Sequence, residues 1–265
     1  MTRDGVIAFR DPAGLRPLCL GMKDGRYCVA SESCALDIIG AELLREIEPG
    51  EMVSLGERGI ETRQVVEGAR RAFCVFEHIY FARPDSKLEG RRVQVSREKM
   101  GQILWRESPV EGDLVIAVPD SGNPAANGFA KASGMPQGDG LIKNRYVART
   151  FIQPGQELRK HGLRMKFNPL PEVVGGKRIV VVDDSIVRGN TTRQEMIAHD
   201  RSVADVAREL GADSLAYLSL EGLYEAIGSS RDTHCDACFT GEYPLERTEE
   251  HRGKNALEEL AVVRA

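Results

Sequence analysis

Residues 179–192, IVVVDDSIVRGNTT, constrain this chain more than any other stretch: a β-branched apolar run, two adjacent acids, then a turn of small residues. Ile179 to Val182 read as a strand covered on both faces. Asp183 and Asp184 stand where that strand ends. Ser185, Ile186, Val187, Arg188, Gly189, Asn190, Thr191 and Thr192 follow. Their glycine and small hydroxyl side chains let backbone N–H groups converge on an anion at a helix N-terminus. Acids beside such a cradle suit a ligand that carries both hydroxyls and phosphate. The carboxylates accept hydrogen bonds from a sugar diol, and the amides hold the phosphate. The pattern points to a ribose 5-phosphate site. Paired acids after a strand are often no more than a solvated turn, so the reading rests on the whole segment.

Composition removes several alternatives. The 265 residues allow one or two domains and a sizeable core. At 42% hydrophobic and 29% charged, the chain belongs with ordinary soluble globular proteins. A net charge of −4, with no Lys/Arg block, favours neither nucleic acid nor an anionic membrane. Val6 to Phe9 is too short for a signal sequence, and no run approaches the roughly 20 apolar residues of a membrane span. Cytoplasm is the expected location. There, the six cysteines read as thiols or metal ligands rather than disulfides.

The texture changes near residue 72. Before it, Val6–Phe9, Leu18–Gly21 and Tyr27–Ala30 are strand-like, separated by turns at 11–14 and 23–25. Ala35–Ile39 suits a helical turn, and Met52–Leu55 with Ile60–Gln64 suits a hairpin. This is an antiparallel α+β pattern that looks like part of a domain. From Cys74 onward, strands alternate with helices. Ser96 is placed to cap a helix buried through Met100, Ile103 and Leu104. Leu114–Val118 is a strand ending in Pro119-Asp120-Ser121-Gly122-Asn123. Pro124 opens the next helix and Gly134 closes it. Ser202 and Asp205 begin another helix, Leu215–Leu220 a further strand, and Ala256–Val263 a short terminal helix. The expected fold is α/β, with a mostly parallel sheet flanked by helices. Ligands of such sheets bind at the carboxyl ends of strands, where both 119–123 and 183–192 fall.

The motifs VVVDDSIVRGNTT, VPDSGNPAANGFA, FEHIYFARPDS, KNRYVARTFIQPGQ, MKFNPL and CDACFTGEYP together resemble the glutamine phosphoribosylpyrophosphate amidotransferase family. VVVDDSIVRGNTT alone resembles the phosphoribosyl pyrophosphate (PRPP) signature of type I phosphoribosyltransferases. RDPAGLRPLCLG and ASESCALDIIGAE resemble the latter half of the family's N-terminal-nucleophile glutaminase domain. The resemblance implies a partial glutaminase-type domain over 1–72, a phosphoribosyltransferase domain over 73–246 and a tail over 247–265. It implies displacement of pyrophosphate from PRPP by ammonia, drawn from glutamine, to give 5-phosphoribosylamine. By the same resemblance, Asp183 and Asp184 bind the ribose hydroxyls, directly or through Mg²⁺, and residues 185–192 hold the 5-phosphate. Asp120, Ser121 and Gly122 face pyrophosphate and its Mg²⁺, with Ser121 a metal contact. Arg145, Tyr146 and Lys166 contact substrate from a segment, 143–166, that orders over it. Homo-oligomers inhibited by purine nucleotides are also implied.

Two departures from the family pattern are visible. The chain enters the pattern midway through the glutaminase domain, with no cysteine near Met1, so loss of glutamine hydrolysis is expected. After Arg193, a helix and a sheet strand of the pattern are missing, so an opened sheet and a destabilised, weakly active or inactive domain are expected. Cys74, Cys235 and Cys238 match three ligands of the family's [4Fe–4S] cluster, and the fourth would lie in the missing segment. A zinc finger using His251 is an alternative, but Asn255, Ala256 and Leu257 stand where its second histidine should be. Buried thiols without metal are a third reading, and the resemblance places an ancestral, now incomplete cluster site ahead of both. Two other functions compete with the amidotransferase reading: a PRPP- or nucleotide-binding remnant without catalysis, and a salvage enzyme that joins PRPP to a free base.

Overall fold

The computed structural model describes residues 1–3, 5–57, 59–146, 167–184, 214–230, 232–235 and 261–264. The chain packs as two compact units, Met1–Ser96 with Ile227–Lys254, and Arg97–Ala226 with Asn255–Ala265.

The first unit is built on two antiparallel three-stranded sheets. One runs β1 (Gly5–Phe9), β5 (Glu51–Gly56), β6 (Gly59–Gln64), and the other β3 (Arg26–Ala30), β2 (Cys19–Lys23), β4 (Glu42–Glu46). Between β3 and β4 lies α1 (Ser33–Ile38). The hairpin expected around residues 57–59 is the β5–β6 ladder, with Leu55 opposite Ile60. Ala8, Leu20, Ile47 and Val53 fill one core cluster. The turn after β1 is fixed by Asp11, whose carboxylate accepts the N–H groups of Ala13 and Leu15 at 3.0 and 3.1 Å. Beside it the Arg10 side chain is buried, donating to the carbonyls of Ile47, Arg16 and Gly14.

Residues 73–96 complete this unit. Phe73–Cys74 (β7) pairs in parallel with His234–Cys235 (β15), a π-helical turn spans Glu77–Phe81, and Lys87–Leu88 (β8) pairs with Arg91–Arg92 (β9). Helix α2 (Val93–Glu107) starts earlier than the sequence suggests, leaving Ser96 within its first turns. The N–H groups of Val93 and Gln94 are taken by the carbonyls of Ser86 and Pro84, so the preceding loop caps the helix without a hydroxyl. Met100, Ile103 and Leu104 are buried as expected.

The second unit holds a four-stranded sheet in the order β10 (Leu114–Ala117), β13 (Ile179–Asp183), β16 (Ala261–Arg264), β14 (Ser214–Tyr217). β10 and β13 are parallel, with Val115 opposite Val180. β16 is antiparallel to both neighbours, so β10, β13 and β14 all point the same way. Three of the four strands therefore obey the parallel pattern read from sequence. The terminal helix expected over 256–263 is contradicted at its end, where Ala261–Arg264 is a strand. A helix there would leave facing edges of β13 and β14 unpaired, whereas an extended Ala-Val-Val-Arg gives both a partner. The opened sheet expected from the missing segment is closed in this way among the described residues. The strand expected over 215–220 stops at Tyr217, and helix α5 (Leu220–Ile227) begins because Ser219 accepts the Gly222 N–H at 2.9 Å as an N-cap.

Helix α3 (Asn123–Ser133) packs on β10 and β13, with Pro124 in its first turn and left-handed Gly134 at its end. β11 (Leu141–Lys143) and β12 (Phe167–Pro169) form an antiparallel stem, followed by the short α4 (Pro171–Val174). Leu114, Ile116 and Ile179 pack there against Val173 and Val174. The helix expected after Ser202 lies outside the described residues.

Candidate functional site

The carboxyl ends of β10 and β13 bring two loops together. Asp183 closes β13 and is 7% exposed; Asp184, just beyond it, is 4% exposed. The Ser121 hydroxyl, in the loop after β10, donates to Asp184 Oδ1 at 2.9 Å. Asp183 Oδ1 accepts the Asp184 N–H at 2.9 Å. Asp184 Oδ2 is buried with no hydrogen-bond partner among the described residues. A carboxylate oxygen left so costs about 1–3 kcal/mol, the kind of vacancy a ligand hydroxyl or a cation fills.

Electrostatics point the same way. Burial first, and then the Asp184 carboxylate beside it, push the Asp183 carboxyl well above the usual carboxylate range. Two adjacent buried acids cannot both ionise cheaply unless positive charge or donors arrive. The residues therefore fit a divalent cation, with Asp183 and Asp184 as ligands and Ser121 beside them. They equally fit a vicinal diol.

Gly122 explains how the loops approach so closely. A Cβ there would stand 2.8 Å from the carbonyl oxygens of Val118 and Val182 and 3.3 Å from the Asp183 Cα. The residue N-caps α3, so a positive helix end starts at the site. The Pro119–Asp120 peptide bond before it is cis. Asp120 is exposed and forms a close ion pair with Lys143 at the end of β11. Lys143 was not singled out as a contact by the sequence. Its only signal was its place where the 143–166 segment begins, and the pairing becomes visible only when β11 lies beside the loop.

Arg145 and Tyr146 are exposed, Tyr146 almost completely, and neither is drawn into the acid pair. Residues 185–192 and Lys166 lie outside the described residues. So does Cys238. Cys74 and Cys235 stand opposite each other in the β7–β15 ladder, and Cys74 is buried. The zinc-finger alternative through His251 also falls outside the described residues.

A mixed α/β unit with buried acids at the carboxyl end of an inner strand, beside the loop of its parallel neighbour, defines a ligand-binding α/β protein of the kind that uses strand ends as its crevice. The comparisons then give the family. Amidophosphoribosyltransferase from Synechocystis sp. is 46% identical over 92% of this chain and 57% of its own length. The enzyme of the same name from Archaeoglobus fulgidus is 45% identical over 91% of this chain and 61% of its own. A solved structure, B. subtilis glutamine PRPP amidotransferase complexed with ADP and GMP, superposes with a TM-score of 0.86 at 43% identity, covering 94% of this chain and 64% of that one. No protein-family model matches the chain. The chain belongs to the amidophosphoribosyltransferase family, and spans about three fifths of the length of these curated relatives. Its match to the Synechocystis protein runs over 283 positions, more than the 265 residues of the chain, so the relative carries residues within the matched region that this chain lacks.

Proposed function

We propose that the second unit binds PRPP and transfers its phosphoribosyl group to ammonia, releasing pyrophosphate and forming 5-phosphoribosylamine, as in the first step of purine synthesis. The observation that supports this most is the buried Asp183–Asp184 pair, with one carboxylate oxygen lacking a hydrogen-bond partner among the described residues, held against Ser121 at the strand ends. In this reading the two acids accept the ribose hydroxyls, which orients C1 of the sugar toward the incoming ammonia. Residues 185–192 cradle the 5-phosphate with backbone amides, Thr191 and Thr192 adding hydroxyls. Asp120, Ser121 and Gly122 meet the pyrophosphate, and Arg145, Tyr146 and Lys166 hold the substrate from the neighbouring segment. Asp183 and Asp184, beside Ser121, would hold Mg²⁺, which when bound would supply charge neutralisation for the departing pyrophosphate. Excluding water matters, because water competes with ammonia at C1.

The domain reading that goes with this assigns 1–72 to the glutaminase type, 73–246 to the phosphoribosyltransferase and 247–265 to a tail. A [4Fe–4S] cluster is part of the same reading, with Cys74, Cys235 and Cys238 as thiolate ligands and one corner lacking a cysteine. The cross-strand pairing of residues 74 and 235 supports the first two. Purine nucleotides as inhibitors, a homo-oligomer and a cytoplasmic location complete it. Among the described residues no helix is long and apolar enough to cross a membrane.

The deciding assay follows pyrophosphate release from PRPP with free ammonia, which bypasses the glutaminase half. Release with ammonia but not with purine bases, and its loss in Asp183→Asn, is the expected result. Release with bases would instead support a salvage enzyme. Binding without turnover is a second reading, favoured by the residues missing from within the matched region. PRPP that binds but releases no pyrophosphate would select it.

A further inference from the structure

A second cluster of ligand-type side chains lies in the first unit, away from the acid pair in sequence and chemistry. His78, Glu89 and His234 each offer a ligand atom, and these atoms all lie within 4.8 Å of one another. His78 is 1% exposed and His234 3% exposed, and the Glu89 side chain is 26% exposed. We propose that His78, Glu89 and His234 form a binding site for a divalent transition-metal cation of the zinc class.

Two imidazoles and a carboxylate are a common donor set for such ions, with a fourth position left to water or a small ligand. The spacing is already near what the ion requires. His234 Nε2 is 3.0 Å from a Glu89 oxygen, and a tetrahedral zinc sets its donor atoms about 3.3 Å apart. The histidine is also oriented for the task. Its Nδ1 is engaged by the Ser229 and Thr233 hydroxyls at 2.7 and 3.0 Å, which directs Nε2 toward Glu89. Fixing one ring nitrogen by a hydrogen bond is how proteins aim the other at a metal.

The surrounding structure holds the rings still. Phe73 meets both imidazoles edge-on, at 5.9 Å from His78 and 5.7 Å from His234. His78 sits in the π-helical turn Glu77–Phe81, and such turns recur where a helix must re-aim a functional side chain. Glu89, Ser229 and Thr233 also line a cavity of about 600 Å³, which gives an ion a route in and a water its place. Cys74, though near in sequence to His78, is not among the converging atoms. The site therefore does not use Cys74, and it does not depend on the phosphoribosyl reading.

The test uses the full chain, stripped with a chelator and reduced, titrated with Co²⁺ and then Zn²⁺. To silence thiol binding it is run in a Cys235→Ser, Cys238→Ser background. The expected result is one equivalent of Co²⁺ with tetrahedral ligand-field absorption and no thiolate-to-cobalt charge-transfer band, displaced by Zn²⁺. Glu89→Gln should weaken binding by roughly 100-fold, and Ser229→Ala by roughly 10-fold. Because Glu89 is partly exposed and glutamine is nearly isosteric, that variant keeps the test valid if His78→Gln or His234→Gln fails to fold. A Zn²⁺-dependent rise in melting temperature should vanish with the same substitution. Absence of binding, binding that disappears in the cysteine background, or binding indifferent to Glu89→Gln would each overturn the site.

Discussion

Asp183 stands opposite Ala261 in the antiparallel register of β13 and β16, so the acid at the heart of the candidate site is backed by the first residue of the last described strand. The same strand pairs Val262 with Val182 on one side and with Ala216 on the other. A four-residue segment thus completes the sheet on which the site depends.

Breaking that strand should therefore disturb the site. Val262→Pro removes an N–H from a strand bonded on both sides and leaves its acceptor unsatisfied, which costs about 1–3 kcal/mol. Urea unfolding should report a loss of that order, and hydrogen exchange at 179–183 should accelerate. Unchanged protection at β13 would show that β16 contributes nothing.

Stability and function should oppose each other at Asp183. Its carboxyl is raised above the ordinary value of 3.8, first by burial and then by Asp184. A raised acid favours the folded state while protonated, and that contribution is lost as pH climbs through its elevated value. Asp183→Asn keeps an acceptor for the Asp184 N–H and removes the charge. It should melt higher than the parent at neutral pH, with the gap closing in acid, while turnover of PRPP is abolished. Mg²⁺ should raise the melting temperature of the parent at neutral pH and not that of the variant.

The Ser121–Asp184 hydrogen bond predicts a different signature. Ser121→Ala leaves a second Asp184 oxygen without its donor and should cost about 1–3 kcal/mol. PRPP affinity, read by calorimetry, should fall more than in the conservative Ser121→Thr.

Lys143→Met separates an ion pair from its structural surroundings. The Asp120 side chain is 69% exposed, so unfolding free energy should change by less than about 1 kcal/mol. If Lys143 helps hold the 119–123 loop for pyrophosphate, KM for PRPP should rise and the rise should be larger at low ionic strength.

Among the thiols, Cys19 should be inert. Burial first, then Glu46, push it up to about 12, and it is fully buried. Native protein treated with iodoacetamide at neutral pH should carry label on half-buried Cys28 before Cys19, as mass spectrometry would show. Early labelling of Cys19 would contradict the packing of β2.

By itself, the sequence placed strands at 6–9, 18–21, 27–30, 114–118 and 179–182, each within two residues of the observed bounds, the hairpin of 52–55 with 60–64, and the acids at the end of β13. Those features are local: alternation, turn chemistry and β-branching write them into neighbouring residues. The motifs also carried the family, since long matched segments leave little freedom. Only the tertiary structure decided that Ser121 reaches Asp184, that Lys143 pairs with Asp120, and that His78, Glu89 and His234 converge. The C-terminal strand is the clearest instance. Its residues 261–264 have no alternation to separate strand from helix, and what settles them is a pair of unsatisfied sheet edges supplied by residues more than 40 positions earlier. Backbone hydrogen bonding across such distances is a property of the folded sheet, and no window of sequence contains it.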